Sequence, residues 1–298
     1  MAEHVQPRIF EALTPPHEST IIFLHGRGDS GHNVAPSLLF RPVNSDHSEA
    51  SRSNSSLTFR HLLPRTKFVF PTAAKRRVQV YGDGTKINQW FDMESLAITD
   101  LEEEIQIEGI KESTDYILQL IKEEVDAGIP PEKIVIMGIS QGCATGAIVT
   151  MRYPGTLGGF VGMSGWLPFI SQVENMFREG SDTTTVVRHI EKTLGSDKEI
   201  TEENITEALK TPVFLGHGVL DTKILPRCGE RLRDALKSAK FEKVVFVTYS
   251  VGHWWCDEEL LHIAVWLGMK GFSVNGLRTF IGTDIESLKE QALSHSDS

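Results

Sequence analysis

Six short apolar runs, separated by polar segments, constrain the fold of this chain more than any other feature of its sequence. The runs cover residues 21–24, 68–70, 134–137, 159–162, 213–215 and 244–247. Each is almost continuously apolar, without in-and-out alternation, which is typical of a strand buried on both faces. Such runs alternating with helices predict an α/β fold, with a mostly parallel central sheet and helices on both faces.

The segment between the second and third runs has the spacing of an amphipathic helix. Apolar residues recur at three- and four-residue intervals from Ile110 through Ile117 and Ile121 to Val125. Gly128, followed by two prolines, predicts the end of this helix. A chain of 298 residues suits one large α/β domain or at most two small ones, and we assign residues 1–270 to a single domain.

Three segments interrupt the alternation of strands and helices. Residues 41–58 are polar and rich in serine, which predicts a flexible surface insertion. Residues 171–209 are charged and weakly periodic, with Thr201 placed to cap a short helix that contains Ile205. The sequence leaves two interpretations of this segment open: a solvated excursion, or a cap over the active site. Residues 271–298 are predicted to form a tail with one short helix.

Charge and cysteine content argue against several classes of partner. The net charge of −10 disfavours nucleic acid and anionic membranes, because both bind basic surfaces. No apolar stretch approaches the ~18 residues of a transmembrane helix, and the first twenty residues lack the pattern of a signal peptide. Cys143, Cys228 and Cys256 are odd in number and far apart, which argues against a disulfide framework or a structural zinc site. We therefore expect a cytoplasmic protein that holds no metal; its oligomeric state stays open.

The strongest local signal for function is the G-x-S-x-G sequence at residues 138–142. It directly follows the third apolar run and precedes a helix start rich in small residues. A serine on such a strand-to-helix turn is strained and exposed, and the flanking glycines let neighbouring backbone pass without a Cβ clash. Ser140 is therefore the predicted nucleophile. The backbone N–H of Gln141, at the positive end of the helix, is a predicted donor to the oxyanion.

A serine hydroxyl needs a base that a third group holds in place. In this fold the acid and the histidine follow the serine in chain order, each just past a strand. Asp221 comes after the fifth apolar run and His253 after the sixth, so these two residues are the predicted acid and base. His217 precedes Asp221, and we expect it to have a structural role in the turn.

The second oxyanion donor is expected on the loop after the first apolar run, HGRGD. Its glycines allow a backbone N–H to face the site, and the N–H of Arg27 is the natural candidate. The Arg27 side chain is expected to be solvated; an alternative is that it attracts an anionic part of the substrate.

The same loop also matches a different class of protein. Residues 26–31 spell G-x-G-x-x-G after a strand, the pattern of a dinucleotide-binding oxidoreductase. That interpretation needs an acidic residue at the end of a second strand about 20 residues later. Asp46 and Glu49 fall near that distance but lie in the serine-rich stretch, and Pro36 is expected to interrupt the helix. We therefore disfavour a dinucleotide site.

Taken together, the motifs of this chain resemble those of the phospholipase/carboxylesterase family, which includes the acyl-protein thioesterases. The motifs are IIFLHGRGDSG, FVFPTA, INQWFDM, LEEEIQIEGI, EEVDAGIPPEKIVIMGISQG, GMSGWLP, HGVLDTKI and VGH, in family order through most of residues 20–268. The resemblance implies an α/β-hydrolase fold that cleaves thioesters or oxygen esters of acyl chains without a cofactor. It also implies a triad of Ser140, Asp221 and His253, with the amides of Arg27 and Gln141 as the oxyanion hole.

The chain departs from the pattern of this family near the substrate. A leucine is usual where Arg27 stands, and small residues usually follow the catalytic histidine, where this chain has Trp254 and Trp255. These two rings either face the acyl channel or belong to the core, and the core is the favoured interpretation. The residues predicted to contact substrate are Trp90, Trp166, Leu167 and Trp254.

Three activities therefore remain open. The resemblance favours hydrolysis of an acylated protein, as by an acyl-protein thioesterase. The departures leave room for a small-molecule carboxylesterase or lysophospholipase, which would use the same mechanism. A non-catalytic binding protein of the same fold is the alternative of a different class.

Overall fold

A computed structural model describes residues 4–43, 57–196 and 200–275. Its strands are β1 (Arg8–Phe10), β2 (Ser19–Leu24), β3 (Thr66–Phe70), β4 (Lys75–Arg77), β5 (Lys86–Asn88), β6 (Ile134–Ile139), β7 (Gly159–Met163), β8 (Val213–Gly218) and β9 (Val244–Tyr249). Seven of these strands form one sheet in the order β1-β3-β2-β6-β7-β8-β9, while β4 and β5 form a separate antiparallel hairpin. All pairs in the large sheet are parallel except β1 with β3. All six predicted strands are confirmed.

Helices cover both faces of the large sheet. They are α1 (Gly31–Leu39), α2 (Phe59–Leu62), α3 (Glu104–Asp126), α4 (Gln141–Arg152), α5 (Ile170–Arg178), α6 (Thr183–Thr193), α7 (Glu202–Leu209), α8 (Pro226–Ser238) and α9 (Asp257–Met269). Alternate residues of one strand enter different cores: Ile134 belongs to the apolar cluster that contains residues of α3 to α8, whereas Val135 belongs to the cluster that contains residues of α1, α2 and α9. The predicted α/β-hydrolase architecture is confirmed, and the helix predicted around Ile117 is α3.

The three-residue strands β1, β4 and β5 were not predicted, because none of them contains an apolar run. β1 is the antiparallel edge strand and pairs Arg8 with Phe70 in register. β4 and β5 carry the sequences KRR and KIN, with partly or fully exposed side chains. Strands of three residues at an edge or in a hairpin bury too little apolar surface to leave a periodic signal.

Pro36 does not interrupt the helix after β2, so this expectation was wrong. Helix α1 runs through Pro36, and the Phe40 N–H donates to the Pro36 carbonyl. A proline leaves the carbonyl four residues earlier without its helical donor. Here that carbonyl belongs to His32, and Arg8 Nη1 donates to it at 2.9 Å. A side chain from β1 thus replaces the missing hydrogen bond.

The structure describes only parts of the three segments that interrupt the alternation of strands and helices. Most of the predicted insertion, residues 44–56, lies outside the described residues, as does the predicted short helix within residues 276–298. The described part of residues 171–209 forms helices that add Val173, Val186 and Ile205 to the main core, so it is not a solvated excursion. A role as a cap stays a prediction. Among the helices described, none is both long and apolar enough to cross a membrane.

Candidate active site

Ser140 occupies the sharp turn between β6 and α4. Its φ of 57° and ψ of −123° lie in a sparsely populated region, which costs ~1–3 kcal/mol and is found mostly at functional sites. The Ser140 N–H donates to the Met163 carbonyl at 2.9 Å, which ties the turn to the end of β7. A Cβ at Gly142 would lie 2.1 Å from the Leu24 carbonyl oxygen, and one at Gly138 would lie 2.5 Å from the Gly142 backbone. The predicted need for both glycines is confirmed, although Ser140 itself is only 5% exposed.

Asp221 and His253 follow the neighbouring strands β8 and β9 and form a hydrogen-bonded pair. His253 Nδ1 donates to Asp221 Oδ2 at 2.7 Å. The other carboxylate oxygen accepts the backbone N–H groups of Lys223 at 2.9 Å and Ile224 at 3.0 Å. These contacts fix the buried carboxylate, which in turn keeps the imidazole proton on Nδ1. The Nε2 atom of His253 is thereby left as the basic nitrogen.

His217 lies within β8 and not on the turn that follows the strand. Its Nε2 donates to the Ile224 carbonyl at 2.9 Å and lies 3.5 Å from Asp221 Oδ2. Burial lowers the pKa of His217, so its ring is neutral at pH 7. A Cβ at Gly229 of α8 would lie 2.4 Å from the His217 ring nitrogen Nδ1, which shows how closely the ring is enclosed. His217 therefore supports the loop that carries Asp221, which is a structural role.

The loop at residues 25–29 passes next to the serine. A Cβ at Gly26 would lie 3.6 Å from Ser140 Cβ, and Gly28 has a φ of 83°, which favours glycine. Within the described residues, no acceptor receives the backbone N–H of Arg27 or that of Gln141, the first residue of α4. Two free N–H groups beside the serine are what an oxyanion hole requires.

Two buried side chains that the sequence analysis did not single out for this purpose hold the loop. His25 Nε2 accepts the Ala73 N–H at 3.0 Å, so its Nδ1 carries the proton and donates to the Gly26 carbonyl at 2.7 Å. Burial lowers the pKa of His25 to about 4, which keeps the ring neutral. Trp90 Nε1 donates to the His25 carbonyl at 2.8 Å. Both residues lie in motifs that carry the family resemblance, which was the only signal for them.

The side chain of Gln141 links the helix that follows the serine to the segment around Trp90. Its Oε1 accepts the Trp90 backbone N–H at 2.9 Å, and its Nε2 donates to the Phe91 carbonyl at 2.6 Å. The side chain is fully buried, so both its donor and its acceptor are needed. Gln141 therefore anchors the start of α4 as well as presenting its backbone N–H.

Comparison with known proteins places the chain among esterases and thioesterases. Residues 7–193 match the family described as phospholipase/carboxylesterase. An acyl-protein thioesterase 1 from Yarrowia lipolytica is 32% identical over 253 residues, which cover 84% of this chain and 91% of that protein. Carboxylesterase SOBER1 from Arabidopsis thaliana is 28% identical over 250 residues, covering 83% of this chain and 88% of that protein.

The chain belongs to the phospholipase/carboxylesterase family. It is an ester or thioester hydrolase, which sets aside the dinucleotide-binding interpretation and the non-catalytic one. The crystal structure of acyl-protein thioesterase 2 from Zea mays has a TM-score of 0.63 at 26% identity, covering 89% of this chain and 98% of that one. The Arabidopsis SOBER1 crystal structure has a TM-score of 0.61 at 26% identity, covering 85% of this chain and 99% of that one.

In this member of the phospholipase/carboxylesterase family the Arg27 side chain is not solvated, contrary to expectation. It is 13% exposed and turns toward the segment after β5. Its Nε donates to Gln89 Oε1 at 2.7 Å, and its Nη2 lies 3.8 Å from Asp92 Oδ1. The Gln89 amide thus accepts from the guanidinium and the Asp92 carboxylate lies beside it, while Nη2 itself has no hydrogen-bond partner among the described residues. Gln89 and Asp92 lie in the INQWFDM motif, but their pairing with Arg27 had no local sequence signal.

The adjacent tryptophans after His253 have different environments. Trp255 is 3% exposed and packs edge-on against Phe23, so it is a core residue as predicted. Trp254 is 39% exposed and stacks on Trp255 at 4.0 Å between ring centroids. The favoured assignment of Trp254 to the core was therefore wrong.

The other predicted substrate contacts are buried. Trp90, Trp166 and Leu167 are each at most 1% exposed. Trp166 packs edge-on against Phe91, and its Nε1 has no hydrogen-bond partner among the described residues. Substrate contact at these three residues and at Trp254 stays a prediction.

The buried carboxyl of Glu259 packs against β8, the strand that precedes Asp221. Glu259, in the first turn of α9, is 2% exposed, and a Cβ at Gly216 of β8 would lie 1.9 Å from its Oε1. Its carboxyl accepts a hydrogen bond from the Cys256 backbone, but its Oε1 has no partner among the described residues. Burial raises the pKa of Glu259 to about 8, so this carboxyl is mostly protonated at pH 7.

Proposed function

We propose that this protein is a serine hydrolase that cleaves acyl thioesters or carboxylic esters through a triad of Ser140, Asp221 and His253. The observation that carries the proposal is the placement of a strained serine at the end of β6, with an Asp221–His253 pair at the ends of β8 and β9. Open α/β sheets bind their ligands at the carboxyl ends of the strands. The chain order Ser, Asp, His is that of α/β-hydrolases.

The reaction is a two-step acyl transfer to water. His253 Nε2 takes the proton of Ser140 as the serine oxygen attacks the carbonyl carbon. Asp221 stabilises the imidazolium that forms and holds its orientation. The N–H groups of Arg27 and Gln141 donate to the oxyanion of the tetrahedral intermediate, each contributing ~3 kcal/mol.

Collapse of this intermediate breaks the bond between the carbonyl carbon and the leaving oxygen or sulfur. His253 gives its proton to the leaving group, which departs as an alcohol or a thiol and leaves an acyl-serine. Water then attacks the acyl-serine with His253 again as the base. The acid is released, and the proton returns to the Ser140 oxygen.

The substrate is either an acylated protein or a small ester. The relative from Yarrowia lipolytica is named an acyl-protein thioesterase and the one from Arabidopsis a carboxylesterase, so the relatives support both. Thioester and ester cleavage need the same bond-breaking groups. A cytoplasmic location is part of the same proposal, supported by three cysteines that are all free thiols.

The proposal is tested with a substrate panel: a palmitoyl thioester, a short p-nitrophenyl ester and a lysophospholipid. We expect hydrolysis of at least one substrate, lost in Ser140→Ala. Ser164→Ala is the matched control, because Ser164 is also buried, has a φ of 46° and follows the neighbouring strand β7. Equal activity in Ser140→Ala and the wild type would refute the triad. A strong preference for short or aromatic acyl groups would refute a long-chain acylated protein as the substrate and favour the small ester.

A further inference from the structure

The Arg27 side chain is largely buried beside the backbone N–H that is proposed to bind the oxyanion. We propose that Arg27 is a positioning residue: its guanidinium, hydrogen-bonded to Gln89 and attracted by the charge of Asp92, holds the backbone N–H of Arg27 at the oxyanion. This inference rests on the proposed function, in which that N–H stabilises the tetrahedral intermediate.

The acceptor for Arg27 is itself held rigidly. Gln89 has no exposed surface, and its Oε1 accepts from Arg27 Nε at 2.7 Å. The amide nitrogen of Gln89 donates to the Arg77 carbonyl at 2.8 Å and to Asp92 Oδ1 at 3.2 Å. With its nitrogen engaged on one side, the amide can present only its oxygen to Arg27.

Asp92 supplies the opposite charge. It is 6% exposed, and Arg27 Nη2 lies 3.8 Å from its Oδ1. The Gln79 N–H donates to Asp92 Oδ2, and the Met93 N–H donates to Oδ1, both at 3.0 Å. Two buried opposite charges in a low-dielectric setting attract strongly, and removing one leaves the other uncompensated. Arg27 is therefore attracted by a carboxylate whose position the backbone fixes, although no hydrogen bond joins Nη2 to it.

Backbone contacts secure the loop immediately after Arg27. The Gly28 N–H donates to the Asn88 carbonyl at 2.8 Å, and Asn88 Nδ2 donates to the Asp29 carbonyl at 3.0 Å. The Arg27 amide thus lies between a side chain anchored at Gln89 and a backbone anchored at Asn88. An oxyanion donor must be placed within roughly 0.5 Å to be effective, and this double attachment meets that need.

Loss of the side-chain anchor should act on the transition state and not on substrate binding. Complete removal of an oxyanion donor costs about 100- to 1000-fold in kcat. A donor that is displaced but still present costs less, so Arg27→Met is expected to lower kcat ~10-fold with KM unchanged. Arg27→Lys keeps the charge opposite Asp92 but not the planar fork, so it should recover part of the loss.

Arg76→Met is the matched control. Arg76 is 15% exposed, close to the 13% of Arg27, and it also forms an ion pair, with Glu112 at 2.7 Å, but it lies on β4. The experiment measures kcat and KM for the wild type and the three variants, together with hydrogen exchange at the Gly28 amide. We expect faster exchange at Gly28 and lower kcat in Arg27→Met, with both unchanged in Arg76→Met.

Two results would overturn the inference. One is a kcat for Arg27→Met within twofold of the wild type, with unchanged exchange at Gly28. The other is an equal loss of kcat in Arg27→Met and Arg76→Met, which would indicate general destabilisation. A Ser140→Ala variant that stays active would instead overturn the proposed function. The exchange rate at Gly28 would still decide whether the Arg27 side chain holds the loop.

Discussion

Asp221→Asn replaces one buried carboxylate oxygen with an amide nitrogen at almost unchanged shape. In one orientation, the amide oxygen still accepts the N–H groups of Lys223 and Ile224, which lie 2.9 and 3.0 Å from Asp221 Oδ1. In the other, two buried N–H groups face the amide NH2 and lose their acceptor. Because each such loss costs ~1–3 kcal/mol, the first orientation is favoured by ~2–6 kcal/mol.

The favoured orientation puts a donor opposite His253. The new amide NH2 would lie at the position of Asp221 Oδ2, which is 2.7 Å from His253 Nδ1. Nδ1 must then accept, so the imidazole proton moves to Nε2, the atom that has to take the proton of Ser140. The wrong tautomer of a catalytic histidine lowers kcat by ~10⁴-fold, equivalent to ~5.5 kcal/mol of barrier at ~1.36 kcal/mol per tenfold change.

Steady-state hydrolysis of a p-nitrophenyl ester measures this loss. Asp182→Asn is the matched control, because Asp182 also accepts a backbone N–H, that of Thr185 at 2.8 Å, but caps helix α6. Its activity should equal that of the wild type. An Asp221→Asn variant that keeps more than a tenth of the wild-type kcat, while unfolding at the same denaturant concentration, would refute the predicted change of tautomer.

Three further changes probe the fold and the substrate side. Burial raises the pKa of Glu259 from 4.5 to about 8, so the unfolded chain releases this proton at lower pH than the folded chain, and stability falls between these pH values. Glu259→Gln has no proton to release, so its unfolding free energy lacks this fall. As the pH rises from 4.5 to 7, the unfolding free energy of the variant, measured in urea, should rise relative to that of the wild type by on the order of 3 kcal/mol. A difference between the two proteins that does not change with pH would contradict this. Gly142→Ala places a Cβ 2.1 Å from the Leu24 carbonyl oxygen and should lower the unfolding free energy by about 3 kcal/mol or more; a near-wild-type urea midpoint would show that the turn can adapt. Trp254→Ala should cost only ~1 kcal/mol of stability but raise KM for phenyl esters more than for ethyl esters; equal changes would show that the ring does not contact the substrate.

The sequence predicted the parts of the fold that depend on burial. The apolar runs that became β2, β3, β6, β7 and β8 are buried on both faces, so every residue contributed to the signal. The run that became β9, at the edge of the sheet, is buried at Val244 and Val245 and only partly buried at Phe246 and Val247. β1 and the β4–β5 hairpin are short and partly exposed, so their sequences contain no apolar run that would have predicted them. Pro36 shows a related limit, because the contact that compensates for it comes from Arg8, which is distant in the chain.

The same distinction holds at the candidate site. The placement of Ser140, Asp221 and His253 just past strands was predictable, because an apolar run precedes each of them in a fixed order; their role as a triad stays a proposal. The surroundings of Arg27 were not, because Gln89 and Asp92 reach it across about 60 residues of sequence. Its position in a loop suggested a solvated side chain, whereas burial was decided by tertiary contacts.

Covalent labelling with a fluorophosphonate probe shows whether Ser140 is the nucleophile. The labelled protein is digested, and the modified residue is located by mass spectrometry. We expect one probe adduct per chain, on Ser140, with strong labelling of Ser164→Ala and no labelling of Ser140→Ala. An adduct on another residue, or equal labelling of Ser140→Ala and the wild type, would contradict it.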